Sequence, residues 1–440
     1  MDILIKIAQL FLCFTILVGI HELGHFLMAR AFKIRVEKFY IFFDPWFSLF
    51  KFKRGDTEYG LGWLPLGGYV KIAGMIDESM DKEQMKQPVK PDEFRAKPAW
   101  QRLLVMVAGV MMNVLLAIVI YCAVCYTWGD SYFSNQDAKW GYNFNPTAHE
   151  MGFRDGDRFV SIDGEEIDNV MRVQNDLLIT DGGRRVIVER GGEPVTLDIP
   201  FESLLRMRQE KAYEDLFTLR LPFIVDSVSY TSAVEAGLES GDEMVAIDDL
   251  RDADYPRYRD YLQKHKNDKV LLTVRRDGAL IDSLALPVDA EGRIGVTVTN
   301  PYSLRTQYYT FWESIPAGIH KAGKTISSYW DQLKLIVQPK TKMYEELGGF
   351  VAIGSIFPSS WDWHDFWLKT AFLSIILAVM NLLPIPGLDG GHALFTLWEI
   401  ITRRKPSEKF LEVAQYVGLM IILALLVYAN GNDIYRFFIK

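Results

Sequence analysis

Two histidines four residues apart, with a glutamate beside the first, carry the clearest chemistry in the chain. Residues 16–30 read Ile-Leu-Val-Gly-Ile-His-Glu-Leu-Gly-His-Phe-Leu-Met-Ala-Arg, and their core, His21-Glu22-Leu23-Gly24-His25, is an H-E-x-x-H pattern. Residues four apart on a helix share a face. His21 and His25 can therefore aim their imidazoles at one Zn²⁺, and Glu22, next to the first ligand, can reach a water at the metal. A catalytic zinc takes a third protein ligand. Asn381-Leu382-Leu383-Pro384-Ile385-Pro386-Gly387-Leu388-Asp389-Gly390-Gly391-His392 offers one at the end of another apolar stretch. Asp389 can coordinate through its carboxylate, and an acid at membrane depth is costly enough to mark function. The prolines and glycines break the helix and let an extended segment bring Asp389 to the metal. His392 is a rival third ligand, although a histidine after Asp-Gly-Gly more often enters a helix or supports a ligand.

The motif interrupts an apolar run, so the elements that position it are membrane-length. The chain has 440 residues, 49% hydrophobic and 24% charged, with a mean hydropathy of +0.05. This mixture implies membrane helices joined to soluble modules. Apolar segments at about 3–28, 103–127, 366–386 and 411–429 can each cover the ~30 Å hydrocarbon core of a bilayer. The first lacks a small-x-small cleavage site and reads as a retained helix. Net charge is −8, which gives no basis for nucleic-acid binding. The three cysteines, Cys13, Cys122 and Cys125, all lie in apolar runs, so neither a disulfide framework nor a cysteine zinc site is expected; they read as packing residues on the membrane face. Lys and Arg concentrate in 29–102 and 387–410, which places both connections in the cytoplasm and the large 128–365 region, with both termini, on the other side.

Between the first two spans, 29–54 is basic and aromatic, as in a membrane-interface segment. Residues 55–74, rich in glycine and broken at Pro65, Gly67 and Gly68, read as a short hairpin or re-entrant β element. Its edge, including Gly67, Gly68 and Tyr69, could accept a substrate as an added strand; a plain surface hairpin is the alternative. Residues 75–99 read as a solvated loop. In the second span, Asn113 needs a partner inside the protein.

The middle of the chain repeats itself. Residues 147–163 and 232–248 share eight identities at an offset of 85, among them Gly152/Gly237, Gly156/Gly241, Asp157/Asp242 and Asp163/Asp248. Further on, Arg190-Gly191-Gly192 matches Arg276-Asp277-Gly278 after a one-residue slip. The pattern Ala-x-x-x-Gly-Φ-x-x-Gly-Asp-x-x-x-x-Ile-Asp resembles PDZ domains, which bind chain ends or extended segments in a strand–helix groove. The copies span 130–202 and 221–299, with a linker helix over 203–220. Residues 300–364 suggest amphipathic helices on the membrane surface or, equally, helices packed on the second copy.

H-E-x-x-H in the first span, the PDZ-like pair and N-x-x-P-x-P-x-L-D-G in the third occur in that order. Together with Leu64-Pro65-Leu66-Gly67-Gly68-Tyr69-Val70-Lys71, they make the chain similar over nearly its whole length to the site-2 protease family of intramembrane zinc metalloproteases, of the bacterial regulator-of-sigma-E type. The resemblance implies a polytopic α-helical membrane protein of about four transmembrane helices (1–32, 100–128, 365–392, 410–430), a membrane-associated β-hairpin within 33–99 and two tandem PDZ-like α+β domains. It implies one Zn²⁺ held by His21, His25 and Asp389, Glu22 as catalytic base, and substrate contacts at Asn381, Pro384 and Pro386 besides the hairpin. The implied setting is the bacterial inner membrane, in contact with lipid, with the PDZ-like pair periplasmic and the active site toward the cytoplasm. The implied substrates are single-pass membrane proteins, such as an anti-sigma factor or remnant signal peptides, trimmed beforehand on the outside. Three usual family signatures differ here, at Phe42–Pro45, at Gly109–Asn113 and at Leu347–Phe350. The rival reading is a non-enzymatic membrane scaffold that binds through its PDZ-like pair.

Overall fold

A computed structural model describes residues 2–64, 67–75, 88–252 and 254–439. It forms two compact units, Met1–Asp130 with Tyr308–Lys440, and Ser131–Gln307.

The first unit contains helix α1 (Asp2–Ala31), strands β1 (Val36–Ile41), β2 (Phe43–Arg54), β3 (Thr57–Leu64) and β4 (Tyr69–Ile72), and helices α2 (Ala99–Trp128), α3 (Phe311–Val337), α4 (Trp363–Leu382), α5 (Asp389–Thr402) and α6 (Glu408–Ile434). Among the described residues, α1, α2, α4 and α6 are long and apolar enough to cross a membrane. On α1, Cys13, Leu17, His21, Gly24 and His25 are buried. They recur every three or four residues, so they form one inward stripe, and the histidines sit on it. Gly24 is what lets α2 approach: a Cβ there would stand 2.5 Å from the Ala108 carbonyl oxygen. Outward residues such as Ile3, Leu4, Met420 and Val427 are apolar and exposed, as lipid-facing positions require.

The strands form one sheet in the order β2-β3-β1-β4. The element expected over 55–74 is therefore part of something larger, and its two strands do not pair with each other. β1 lies between them, parallel to β3 and antiparallel to β4. Strands two places apart stand ~10 Å from one another, within reach of the short 64–69 connection. Pro65, on which the expected break partly rests, lies outside the described residues, as does 76–87 of the expected loop. β2 and β3 form the actual hairpin. On β2, Trp46, Phe47, Leu49, Phe50 and Phe52 are exposed. One apolar cluster of Ala29, Ile34, Val36, Val70, Ile72, Val105 and Met106 joins the end of α1, the sheet and α2.

The third span is shorter than expected and is followed by a helix that was not. α4 ends at Leu382. Pro384 and Pro386 lack the N–H groups that would continue it, and Gly387 adopts φ +99°, a left-handed conformation that glycine accepts without strain. Asp389 then starts α5, where a connection had been expected. Helix α3 packs through Ala322, Ile326, Tyr329 and Leu333 on a cluster that includes α2 and α4 residues, while Trp312, Ile319 and Trp330 stay exposed. All three cysteines face protein rather than lipid: Cys13 packs with Leu17, Phe357 and Phe366, Cys125 is fully buried, and Cys122 lies where a Cβ on Gly318 would be.

The second unit holds two apolar cores. Phe133, Tyr142, Phe153, Phe159, Val186, Val188 and Ile199 contribute to the first, and Phe223, Met244, Tyr258, Val270, Leu272, Val274 and Leu286 to the second. The 85-residue offset carries strand Arg158–Ile162 onto Glu243–Ile247. Each is paired on one side with a two-residue strand and on the other with a long antiparallel hairpin. The repeated Gly-Asp and Arg positions explain themselves here. Arg190 holds Asp157 through Nε–Oδ1 and Nη2–Oδ2, both 2.8 Å, and Arg276 holds Asp242 the same way at 2.7 and 2.8 Å. Burial alone would push the Asp242 carboxyl up, but the Arg276 guanidinium and the Glu239 main-chain N–H together outweigh it and hold the group below its ordinary value. The expected linker over 203–220 is part of the first core instead. Leu204, Met207 and Leu216 are buried in it, and Phe217–Leu219 pairs with Tyr142–Phe144. The helix Phe201–Gln209 has an apolar face, and the first core covers that face.

Candidate metal centre

Three side chains from α1 and the start of α5 converge. His21 Nε2 and His25 Nε2 are 3.2 Å apart, and Asp389 Oδ2 lies 3.1 Å from the first and 3.2 Å from the second. Ligands bonded to zinc at ~2.0–2.1 Å in a tetrahedron stand about 3.3–3.4 Å from one another, so the triangle matches a tetrahedral face. Both histidines are more than nine-tenths buried. Asp389 Oδ2 is buried without a hydrogen bond, which is a costly state for a carboxylate oxygen and one that a cation would relieve. Among the described residues this is the one cluster of three or more His, Cys, Asp or Glu side chains able to hold a metal ion. His392, the rival ligand, lies outside it.

The remaining ring nitrogens are held by α2. His25 Nδ1 lies 2.8 Å from the Val105 carbonyl oxygen and must donate to it, which leaves Nε2 free for a metal. His21 Nδ1 lies 3.3 Å from the Asn113 amide. The Asn113 amide is wholly buried and its oxygen has no hydrogen-bond partner in this orientation. Turning the amide over lets His21 Nδ1–H donate to that oxygen. This is the internal partner that an asparagine at this depth requires. Ser374 Oγ in turn donates to the Asn113 main-chain carbonyl at 2.8 Å. Gly109 completes the seat: a Cβ there would collide with His25 Nε2 and approach His21 Cε1 to 2.7 Å.

Two of these contributions were not foreseen, the Val105 carbonyl and the Gly109 seat. A main-chain oxygen leaves no mark in a sequence. Ala108-Gly109, the smallest pair in a bulky apolar run, was the available signal. Gly109→Ala is expected to lower zinc affinity and proteolysis on the order of 10–100-fold, the usual effect of disturbing a ligand's support. Zinc per purified chain, measured by elemental analysis, checks it; wild-type content in the variant would count against the seat.

The other expected site residues are distributed unevenly. Glu22 is half-buried, near the Val70 main chain of β4. Gly68 adjoins it, since a Cβ there would lie 3.3 Å from Glu22 Cγ and 2.7 Å from the Tyr40 carbonyl oxygen. Asn381 Nδ2 is 3.3 Å from His21 Nε2, so the end of α4 borders the cluster. Gly67 abuts the Phe43 ring. Tyr69 turns its hydroxyl to Asp44 Oδ1 at 2.9 Å and stacks on Tyr40 and Phe43. Pro384 is exposed, and the Pro386 carbonyl packs against Gly418 of α6.

The profile of peptidase family M50, the site-2 protease family, matches residues 9–425. The chain belongs to this family. It is 30% identical over 426 residues to a zinc metalloprotease of Clostridium perfringens, covering 96% of each chain. It is 27% identical over 460 residues to the regulator of sigma E protease of Haemophilus influenzae, covering 99% of this chain and all of that one. This M50 peptidase is accordingly a zinc-dependent metalloprotease and a multi-pass membrane protein.

Proposed function

We propose that this chain hydrolyses peptide bonds within the transmembrane segments of single-pass membrane proteins, with His21, His25 and Asp389 holding the zinc and Glu22 moving the protons. The observation that carries it is the triangle of ligand atoms 3.1–3.2 Å apart, buried among helices that are long and apolar enough to span a bilayer.

Bound in that triangle, zinc supplies Lewis-acid polarisation and shifts the acidity of water toward neutral pH. The residues do the rest. Glu22, one position from His21 and outside the ligand triangle, takes the proton from the attacking water and returns it to the leaving amine. Asn381 can donate its amide to the scissile carbonyl or steady the substrate beside it. A helical segment hides its peptide bonds in its own hydrogen bonds, so the substrate must be extended first. β4 is an edge strand of the sheet and touches Glu22, which favours substrate capture as an added strand along Gly67, Gly68 and Tyr69. Pro384 and Pro386 shape the turn that delivers Asp389, and Pro384 is exposed enough to meet substrate.

The repeated strands and Asp–Arg pairs of the second unit support a PDZ-like reading of its two copies. In that reading they lie in the periplasm of a bacterial inner membrane and admit substrates already trimmed there, an anti-sigma factor or a signal-peptide remnant, while the metal centre opens toward the cytoplasm.

A single-pass reporter reconstituted with the full-length protein tests this. Cleavage is expected inside the apolar segment, and faster after the reporter's outer domain has been removed. A cut confined to soluble flanks would overturn the intramembrane reading, and equal rates with and without the outer domain would overturn the trimming requirement.

A further inference from the structure

We propose that Arg102 and Glu399 are a positioning pair that sets where Asp389 stands. This rests on the reading of Asp389 as the third ligand. Arg102 lies one turn into α2 and is 8% exposed. Its Nη2 donates to Glu399 Oε1 of α5 at 2.5 Å, 297 residues away in sequence, and its Nε donates to the Lys97 carbonyl at 3.1 Å. The side chains are 10% and 18% exposed, so the pair is shielded from water and its attraction is weakly screened. Arg102 is thus fixed from two directions before it grips α5.

What the grip does follows from the shape of α5. The helix begins at Asp389 with a tight pivot, where Gly390 packs on the carbonyls of Leu382 and Leu383, and Gly391 on that of Ile385. Beyond the pivot, Ala393 packs on the apolar cluster that includes Val105 and Met106 of α2 and Thr396 is buried, while Leu394, Leu397, Trp398, Ile400 and Ile401 are exposed. Small side chains thus lay α5 on α2 without fixing its register, and apolar faces against lipid add no angular preference. Glu399 is ten residues from Asp389, a lever of ~15 Å along the axis. The element it is pinned to is the one that fixes the histidines: α2 supplies the Val105 carbonyl to His25 and the Gly109 surface against both rings. Arg102–Glu399 therefore references the α5 ligand to the same rod as the α1 ligands.

The test uses purified full-length protein and follows zinc loss to a competing chelator, alongside reporter cleavage. Arg102→Ala and Glu399→Ala are each expected to lose zinc about 10–100-fold faster than wild type, as outer partners of metal ligands do, with cleavage falling in parallel. The exchanged pair Arg102→Glu/Glu399→Arg is expected to recover most of the retention, which loss of general stability would not predict. The inference is overturned if either single variant keeps zinc as long as wild type, or if the exchanged pair is no better than the single variants. Asp389→Ala separates the two levels. If it alone loses zinc quickly, the ligand reading stands and the positioning pair fails; if it keeps zinc like wild type, the ligand reading itself fails.

Discussion

Glu22→Gln is expected to leave zinc bound and to lower cleavage of a transmembrane reporter by on the order of 10²–10⁴-fold, the range a positioned general acid–base supplies. The substitution keeps shape and size but removes the group that takes a proton. Glu22 is not part of the ligand triangle, so metal content should be unchanged. The variant should therefore hold its substrate uncleaved, and a complex recoverable by crosslinking is the second readout. Cleavage at the wild-type rate would remove Glu22 from the chemistry. Loss of zinc together with loss of cleavage would assign it to metal retention instead.

Asp389→Ala should give the opposite pattern, with both zinc and activity lost. His21 and His25 sit four apart on α1 and remain near each other without the carboxylate, but two imidazoles are one ligand short of the usual catalytic set. The deletion also removes the one anionic ligand from a buried site, where a divalent cation needs it most. Zinc per chain is expected to fall well below one after brief chelator treatment that leaves wild type loaded. Asp389→Glu would keep the charge while moving it by a methylene. Some zinc with little cleavage is the expected result, since reacting groups misplaced by ~1 Å can cost 10²-fold. Full zinc in Asp389→Ala would move the third ligand elsewhere.

Much of this site was legible because its chemistry is written in short spacings. His21, Glu22 and His25 fall within five residues, and helical periodicity alone puts both imidazoles on one face. Asp389 could be picked out because an acid beside two prolines and three glycines in an apolar stretch is too costly to be incidental. The duplicated Gly-Asp and Arg positions likewise announced two copies of one module, and each copy does form the same bidentate ion pair.

The misreadings have a common physical origin. The 55–74 stretch showed two strands with a turn signal between them, but pairing in a sheet depends on which third strand is available, and β1 took the place between them. The 203–220 stretch carried helical character and was read as a linker, because nothing local says that Leu204, Met207 and Leu216 find a core. The 387–410 connection concealed α5, whose apolar residues face outward and whose anchor, Arg102, lies 297 residues away in sequence.

By itself the sequence determined the residue types of the candidate ligands, the glutamate beside them, the membrane-length helices and the repeat, since these follow from composition and from periods of a few residues. Only the tertiary structure decided that Asp389 stands 3.1 Å from His21, that Asn113 and the Val105 carbonyl hold the far sides of the imidazoles, and that Gly109 clears the space between them. Those are contacts between helices whose order in the chain says nothing about which faces meet. The meeting is set by the whole of the packing: Gly24 admits α2 to α1, and a glycine turn swings α5 into place.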